Sequence, residues 1–377
     1  MNILFISHDS SHTGAPLALL SLVRAIREHI PEVRCTVLIL KDGPLTIEFG
    51  KECPVIIPQR KPWCLQNLFV PSNLIDRLSI RLFLKHIKHQ HFDLIYANSA
   101  SSLHCAIVLK EILHIPVLLH FHESGINRCY IDIRQSWIHA CDHFIAVSPL
   151  ARQCLADLGA DLSKISVIFP TSVFIEQLLN SNDVQEKTAK KDSAKTIVGF
   201  VGPLINRKGG DLLPIVLRRL CDRHPDFDFE IRSVGNDHDL ERKCLEYDAH
   251  RLCVSDKIHF IDPLEDPITV YTEMDMLLVL SREESFSLVV PEFGLLGKPA
   301  ILFNGSCGVQ HFLQHEHNAL IVPYLDLDGI ADAIYRLGTN DDEKHRMGEN
   351  LRQVMTEHYT HHDTNGQIIN LLREYIS

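Results

Sequence analysis

The chain has 377 residues, more than one hydrophobic core usually holds, so we expect two domains. Its hydrophobic share of 45% and charged share of 23% are ordinary for a globular protein and exclude a fibrous or wholly disordered chain. The net charge of −11 falls mainly on residues 171–377, which carry 21 basic and 34 acidic side chains, and this acidity argues against nucleic acid as a partner.

The first residues carry no recognisable targeting signal. The apolar run from Met1 stops at His8 and Asp9, too early for a signal-peptide core. No stretch reaches the roughly 18 apolar residues that a membrane span needs. The 11 cysteines include no C-x-x-C pair, so we expect free thiols and neither a disulfide framework nor a zinc site. We therefore expect a cytoplasmic protein.

Short apolar runs alternate with helical patterns through the first 150 residues. The predicted strands are Asn2–Ser7, Cys35–Leu40, Asp93–Ala97, Pro116–Phe121 and His143–Val147. The predicted helices between them are Pro16–His29, Asn73–His89 and Ser101–Leu113. Such alternation is typical of a mostly parallel sheet with helices on both faces.

A polar stretch, Asn180–Lys195, interrupts this alternation and predicts a linker. The alternation then restarts with the strand Thr196–Val201 and continues through the helix Asp211–Arg223. The predicted strands are Thr196–Val201, Phe229–Ser233, Ile258–Ile261, Met276–Leu280, Ala300–Phe303 and Ala319–Val322. We expect domains over 1–175 and 196–362, a linker over 176–195, and a final helix, 363–377, that completes either domain. Two doubly wound α/β domains facing a cleft would bind ligands where the strands end.

The segment Ser281–Glu292 (SREESFSLVVPE) follows the predicted strand Met276–Leu280 and holds the strongest signal for chemistry. Seven residues separate Glu284, on the loop, from Glu292, in the next helix. Their carboxylates can accept hydrogen bonds from sugar and ribose hydroxyls. Ser287, Leu288 and Val289 would stand at the start of that helix, where their backbone N–H groups would attract a diphosphate. Taken alone, the two glutamates would more readily be interpreted as ordinary charged residues at a helix start and on a solvated helix.

This segment closely resembles the E-x7-E region of glycosyltransferase family 4, usually met as E-x-F-G-x-x-x-x-E. Here Ser287 stands at the glycine position. Downstream, Gly297-Lys298-Pro299 resembles the family's G-x-P strand entry, and Asn318-Ala319-Leu320 resembles its N-G-L strand. Order and spacing agree over some 60 residues.

A second segment of the resemblance is Gly199–Asp211 (GFVGPLINRKGGD), similar to the family pattern G-R-x-x-x-x-K-G. Gly202 and Lys208 match, but Pro203 stands where the arginine is usual, and Arg207 is our candidate for the missing guanidinium. Fixed cations here would stabilise the charge that builds on a departing diphosphate. A basic pair without this context would most often be solvated.

Two weaker signals lie in the first domain. Gly14 belongs to the loop after the first strand, where the family has a glycine facing the diphosphate. His122 ends the strand Pro116–Phe121, where the family places a histidine that contacts the donor sugar. His120 points in the same direction two residues earlier and should pack deeper.

The resemblance implies the GT-B architecture and a retaining glycosyltransferase. The first domain would hold a glycan, lipid-linked or small-molecule acceptor. The second would hold a UDP- or GDP-sugar through Arg207, Lys208 and Glu292. The reaction would need no metal and no further cofactor, and polysaccharide or glycoconjugate synthesis would be its setting. The rivals are a nucleotide-sugar epimerase or hydrolase, a sugar phosphorylase, and an inactive sugar-nucleotide binding protein.

The segment Asn73–His91, which includes the predicted helix Asn73–His89, mixes basic and apolar side chains. Such a helix can lie on an anionic membrane. This leaves open a peripheral contact between the first domain and the inner face of the membrane. The plainer interpretation, which we favour, is a domain helix with one buried and one solvated basic face.

Overall fold

The computed structural model describes residues 1–58, 90–125, 133–180, 195–235, 239–262, 264 and 266–375. The predicted helix Asn73–His89 and residues 181–194 of the predicted linker lie outside this part of the chain. The chain forms two compact units. The N-terminal unit comprises Met1–Val173 with Asp363–Ser377, and the C-terminal unit comprises Phe174–His362.

A parallel sheet forms the centre of the N-terminal unit. Its described strands are β1 (Asn2–Ser7), β2 (Arg34–Ile39), β3 (Val55–Ile56), β4 (Leu94–Ala97), β5 (Val117–Phe121), β6 (His143–Ala146) and β7 (Ile165–Val167), in the order β3-β2-β1-β4-β5-β6-β7. Most residues of the inner strands are buried, as expected for a sheet covered on both faces, whereas the edge strands β3 and β7 are only partly buried. The order reverses between β1 and β4, so loops leaving these strands diverge and open a crevice.

The helices of this unit follow the strands and cover the sheet. Those described are α1 (Gly14–His29), α2 (Thr46–Glu52), α3 (Ala100–Leu113), α4 (Gln135–His139) and α5 (Pro149–Asp157), and α6 (Val173–Asn180) begins at the unit boundary. Helix α5 has proline at its first position, where no backbone N–H is needed, and its N-cap Ser148 accepts from Ala151 N at 3.1 Å.

The C-terminal unit repeats this architecture. Its described strands are β8 (Thr196–Val201), β9 (Phe229–Val234), β10 (Ile258–Ile261), β11 (Met276–Val279), β12 (Ala300–Phe303) and β13 (Ala319–Val322), all parallel, in the order β10-β9-β8-β11-β12-β13. The order reverses between β8 and β11, which places the loops after these two strands at the switch point of this sheet.

Six described helices belong to the C-terminal unit after β8. They are α7 (Leu213–Arg223), α8 (Asp239–Arg251), α9 (Ile268–Thr272), α10 (Val289–Leu295), α11 (Leu327–Thr339) and α12 (Asp341–His361). The predicted helix Asp211–Arg223 starts later than expected, because Gly210–Leu212 forms a 3-10 turn. Asp326 and Asn340 cap α11 and α12, accepting backbone N–H groups at 2.9 and 3.0 Å.

The last helix, α13 (Thr364–Glu374), returns to the N-terminal unit. Asn365 Nδ2 donates to Ser21 Oγ of α1 at 2.8 Å in a buried contact. Thr364 Oγ1 donates to the carbonyl of Phe169 at 3.1 Å, and Tyr375 hydrogen-bonds His143 Nδ1 at 2.9 Å. These contacts at both ends of α13 hold the helix on the N-terminal unit.

The fold class predicted from the alternating pattern is confirmed as two parallel, Rossmann-like sheets with helices. The predicted strands recur within one or two residues. The short strands β3 and β7 were not predicted, since two or three residues carry too little periodicity to detect.

Gly348 of α12 packs against the backbone of Gly297, and a Cβ added to it would lie 1.9 Å from that carbonyl oxygen. We expect Gly348→Ala to lower the free energy of unfolding of the C-terminal unit by about 1–3 kcal/mol, because helix or loop must shift. Urea unfolding measures this.

The matched control is Gly50→Ala in α2, where a Cβ meets nothing within 4 Å. That substitution should be neutral or stabilise by up to about 1 kcal/mol, since alanine loses less entropy in a helix. Equal effects at the two positions would contradict the packing argument.

Candidate active site

The loops after β8 and β11 meet at the switch point of the C-terminal sheet. The first, residues 202–212, carries Arg207 and Lys208 on the 3-10 turn Asn206–Lys208. The second, residues 280–288, carries Glu284. Gly209 follows the turn in a left-handed conformation, with φ of 77°, and a Cβ there would lie 2.1 Å from the carbonyl oxygen of Leu280. Glycine thus allows the two loops to touch.

Lys208 and Glu284 form the central contact of this site. Lys208 Nζ donates to Glu284 Oε1, and Ser281 Oγ donates to the other carboxylate oxygen at 2.9 Å. The backbone of Glu284 is held as well, since its N–H donates to Ser306 O at 2.7 Å and its carbonyl accepts from Gly308 N at 2.9 Å. The carboxylate is therefore fixed on both sides.

Glu284 is only 8% exposed, and its ionisation depends on the neighbouring cations. Burial alone would raise the pKa of this carboxyl. Lys208 and then Arg207 outweigh burial and lower the pKa below its ordinary value. Glu284 is thus an ionised, hydrogen-bonded carboxylate at neutral pH.

Arg207 lies in the same cluster. Its Nη1 donates to the carbonyl of Glu283 at 3.3 Å, and its charge helps to lower the pKa of Glu284. The structure therefore places a guanidinium beside Glu284 although Pro203 occupies the position where arginine is usual. Gly202 adjoins the cluster with φ of 130°, and a Cβ there would lie 3.9 Å from Lys208 Cε.

A small cavity of about 10 Å³ adjoins Lys208 and Glu284, with room for about one water molecule. Its polar lining comes from Lys208, Ser281, Glu284 and Ser287, and strands β8 and β11 supply apolar walls. Charged and apolar groups thus meet where the two strands end.

Ser287, Leu288 and Val289 lead from the loop into α10, which begins at Val289. Ser287 has φ of 80°, in the left-handed region that favours glycine. This conformation explains why the family pattern has glycine here. The N-cap Leu288 provides no side-chain cap, and the first N–H groups of a helix have no intrahelical acceptors.

Glu292 lies within α10 and is 4% exposed. After burial itself, its charge is the next cause that raises the pKa of Tyr271 and of Tyr359. The structure therefore places Glu292 next to two buried tyrosines, while Lys208, Arg207 and Glu284 gather around the loop.

In the N-terminal unit, His122 directly follows β5 and is partly buried. Its ring centroid lies 4.0 Å from that of His120, which is 3% exposed and whose Nδ1 is 2.6 Å from Tyr96 Oη. Burial lowers the pKa of His120 to about 3. Burial, then His120 and His8, lower the pKa of His122 well below its ordinary value. Both imidazoles are neutral at pH 7.

His8 joins this group from the end of β1, although the sequence analysis did not single it out. Its Nδ1 lies 3.1 Å from Oγ of Ser99, which follows β4. Burial lowers the pKa of His8, and Asp9 only partly opposes this. A histidine directly after the first strand was the available signal. Gly14 opens α1 nearby, where it is exposed and its φ is not positive.

Glu123 is the second residue that sequence reasoning missed. It is 5% exposed, and its two carboxylate oxygens accept from Ala100 N at 2.8 Å and from His122 N at 3.0 Å. Ser99, the N-cap of α3, makes no side-chain cap because its hydroxyl contacts His8. Glu123 thus caps α3 from the neighbouring strand. Burial raises its pKa to about 7 despite these backbone hydrogen bonds.

Among the described residues, no group of three or more histidine, cysteine, aspartate or glutamate side chains is arranged to hold a metal ion. No helix in that same part of the chain is long and apolar enough to cross a bilayer.

Family models match both units. A model described as Glycosyltransferase Family 4 matches residues 14–171, and one described as Glycosyl transferases group 1 matches residues 181–354. The two matches together take in most of the chain. The protein belongs to glycosyltransferase family 4.

Solved structures share the fold of the whole chain. The Anabaena protein Alr3699/HepE, in complex with UDP and glucose, superposes with a TM-score of 0.81 over 99% of both chains at 20% identity. Sucrose-phosphate synthase from Thermosynechococcus elongatus gives 0.80 over 99% of this chain and 98% of its own, also at 20% identity. These similarities establish the GT-B fold.

Curated relatives match shorter regions. The D-inositol 3-phosphate glycosyltransferase of Corynebacterium urealyticum is 32% identical over 186 residues, 48% of this chain and 43% of that protein. An uncharacterized glycosyltransferase of Haemophilus influenzae is 29% identical over 222 residues, 59% of this chain and 58% of that protein. The matches thus span about half the length of these relatives.

The raised pKa of Glu123 predicts a pH dependence of stability. A carboxyl whose pKa is about 7 in the folded state, above its ordinary 4.5, stabilises the fold fully below pH 4.5. This contribution is lost as the pH rises through 7 and amounts to about 3 kcal/mol. The neutral histidines His120 and His122 add stability as the pH rises over part of the same range, because their pKa values are lowered. The decline should therefore appear in the difference between the wild-type protein and Glu123→Gln when unfolding of the N-terminal unit is measured from pH 5 to 8.

Glu123→Gln should remove this decline, because glutamine does not titrate. Glu111→Gln, at an exposed position of the same helix α3, is the matched control and should keep it. The same pH slope in all three proteins would show that Glu123 does not cause it.

Proposed function

We propose that this protein is a retaining glycosyltransferase that moves a sugar from a nucleoside-diphosphate sugar to an acceptor hydroxyl without a metal ion. The observation that carries the proposal is the cluster of Arg207 and Lys208 around the buried, ionised Glu284. A switch point of parallel strands is where such folds bind nucleotides.

The two cations fit the leaving group of such a reaction. When the bond between sugar and diphosphate breaks, negative charge builds on the diphosphate, and fixed positive groups stabilise that charge. Lys208 and Arg207 would bind the diphosphate, together with the backbone N–H groups at Ser287–Val289, where α10 begins. Lys208 is already held in place by Glu284, so little rearrangement is needed before it acts.

Glu284 and Glu292 are assigned to the sugar and the ribose of the donor. An ionised carboxylate accepts strong hydrogen bonds from hydroxyl groups, and Glu284 keeps its charge despite burial. Glu292, set in α10 beside Tyr271 and Tyr359, would accept from the ribose hydroxyls. His122 is neutral, so it offers a hydrogen bond to a sugar hydroxyl without adding charge.

In this mechanism, the acceptor hydroxyl attacks from the face that the diphosphate leaves. The departing phosphate oxygen takes the proton of that hydroxyl, so no dedicated protein base is required. The transition state has the oxocarbenium character of glycosyl chemistry. Negative charge on Glu284 would favour the positively charged sugar in that state.

A uridine nucleotide is the first candidate for the donor. The structural neighbour from Anabaena has been solved with UDP and with UDP-glucose, which supports a UDP-sugar here. Another neighbour is described as a lipopolysaccharide outer core galactosyltransferase, with a TM-score of 0.72 at 16% identity. Polysaccharide or glycoconjugate synthesis by a cytoplasmic enzyme remains our proposal for the setting, with a peripheral membrane contact as a further prediction.

Thermal unfolding with UDP, GDP, ADP and their sugars tests the donor. We expect one base to raise the melting temperature, because saturation at about 100 times Kd adds roughly 2.7 kcal/mol to stability. Glu292→Ala should reduce the shift by weakening the ribose contact. No shift with any nucleotide would oppose the proposal and favour a sugar phosphorylase.

Lys208→Ala tests the diphosphate role. We expect this variant to bind the selected diphosphate at least tenfold more weakly and to lose transfer, because the leaving group loses its nearest fixed cation. Product analysis with and without acceptor also separates transfer from hydrolysis or epimerisation of the donor.

Lys344→Ala is the matched control, since Lys344 also pairs with a carboxylate of the C-terminal unit, that of Asp341 at 2.7 Å. It should keep wild-type binding and transfer. Full transfer by Lys208→Ala would remove the assigned role.

A further inference from the structure

Arg282 bridges the two loops of the candidate active site at a point that the proposed chemistry does not use. Its guanidinium makes a two-pronged contact with Asp211, with Nη1 and Nη2 each 2.8 Å from a carboxylate oxygen. Nη1 also donates to the carbonyl of Asn206, and the Arg282 backbone N–H donates to the carbonyl of Arg207 at 2.8 Å. One residue therefore binds three places on the opposite loop.

The residues that Arg282 binds enclose Lys208. Asn206 and Arg207 precede it on the same 3-10 turn, and Asp211 follows it by three residues. A guanidinium that forms parallel hydrogen bonds to a carboxylate fixes direction as well as distance. Because Arg282 binds the loop on both sides of Lys208, it restricts where the side chains of Arg207 and Lys208 can point.

We propose that Arg282 is a positioning residue. By binding both the 3-10 turn Asn206–Lys208 and Asp211, it holds the side chains of Arg207 and Lys208 in place to bind the diphosphate. This inference rests on the proposed function. Arg282 does not act on the diphosphate itself, because its guanidinium is committed to Asp211 and Asn206. Its charge is thus matched by that of Asp211, and its contribution is geometric.

The contact lies at the edge of the unit and outside its core. The Asp211 side chain is 43% exposed and that of Arg282 19% exposed, whereas the core is built from apolar side chains of β8, β9, β11, α7 and α11. Loss of the clamp should therefore loosen the turn without unfolding the unit.

Titration calorimetry with UDP and with GDP tests the proposal on four variants: Arg282→Met, Arg282→Lys, Asp211→Asn and Arg223→Met. Arg282→Met should weaken binding of the accepted diphosphate about tenfold, a typical coupling between contacting residues. Arg282→Lys should lose most of the same affinity, because lysine keeps the charge but not the two-pronged contact. Asp211→Asn should show an intermediate loss, and it is the milder variant if Arg282→Met folds poorly.

Arg223→Met is the matched control. Arg223 makes an equivalent two-pronged contact with Asp332 at 2.8 and 2.5 Å, in the same unit and outside the site loops. Its loss should leave diphosphate affinity unchanged, with a melting temperature similar to that of Arg282→Met.

Repeating Arg282→Met in a Lys208→Ala background distinguishes a positioning role of Arg282 from a direct electrostatic attraction between Arg282 and the diphosphate. If Arg282 acts through Lys208 and its turn, its effect should shrink severalfold in that background. Equal losses in both backgrounds, or full affinity in Arg282→Lys, would overturn the positioning role. If Lys208→Ala alone leaves diphosphate affinity unchanged, the proposed function fails; if it weakens binding and Arg282→Met does not, only this inference fails.

Discussion

Parallel strands end at the same edge of a sheet, and the candidate site follows from that constraint. Strands β8 and β11 are neighbours at the point where the strand order reverses, so the loops that follow them begin side by side, and Gly209 allows them to touch. Lys208 and Glu284 are 76 residues apart in the chain and are joined only by this arrangement. The strand order of the N-terminal unit reverses in the same way between β1 and β4, and there His8 lies next to Ser99.

Two buried carboxylates show how the surroundings decide charge. Glu284 and Glu123 are both nearly inaccessible, and burial pushes both pKa values upward. Two cations reverse the direction for Glu284, whereas Glu123 has only backbone N–H donors and its pKa rises to about 7. The C-terminal unit thus keeps the ionised carboxylate of Glu284 beside two cations that suit a phosphate. The other gathers neutral histidines that suit hydroxyl groups.

Much of the fold was predictable because its signals are local. Buried parallel strands such as Asn2–Ser7 and Thr196–Val201 are short apolar runs between helical patterns, and these bounds agree with the structure. The family resemblance was predictable from Glu284, Glu292 and Lys208 for the same reason, since each motif lies within a dozen residues. The roles assigned to these side chains remain proposals.

The residues missed by sequence reasoning act through contacts that spacing does not encode. Glu123 looks like one more charge after a strand until its carboxylate is seen on the N-terminus of α3, 23 residues away in sequence. Arg282 looks like a solvated loop residue until Asp211 is found opposite it, 71 residues away.

The sequence by itself therefore determined the parallel α/β class, the strand positions and the family, because period, turn residues and motif spacing are properties of neighbouring residues. Only the tertiary structure decided that Arg207 lies close enough to Glu284 to lower its pKa, and that α13 packs on α1. It also decided which carboxylates are ionised. These contacts and ionisation states depend on distances in space and on the exclusion of water, and the order of residues along the chain specifies neither directly.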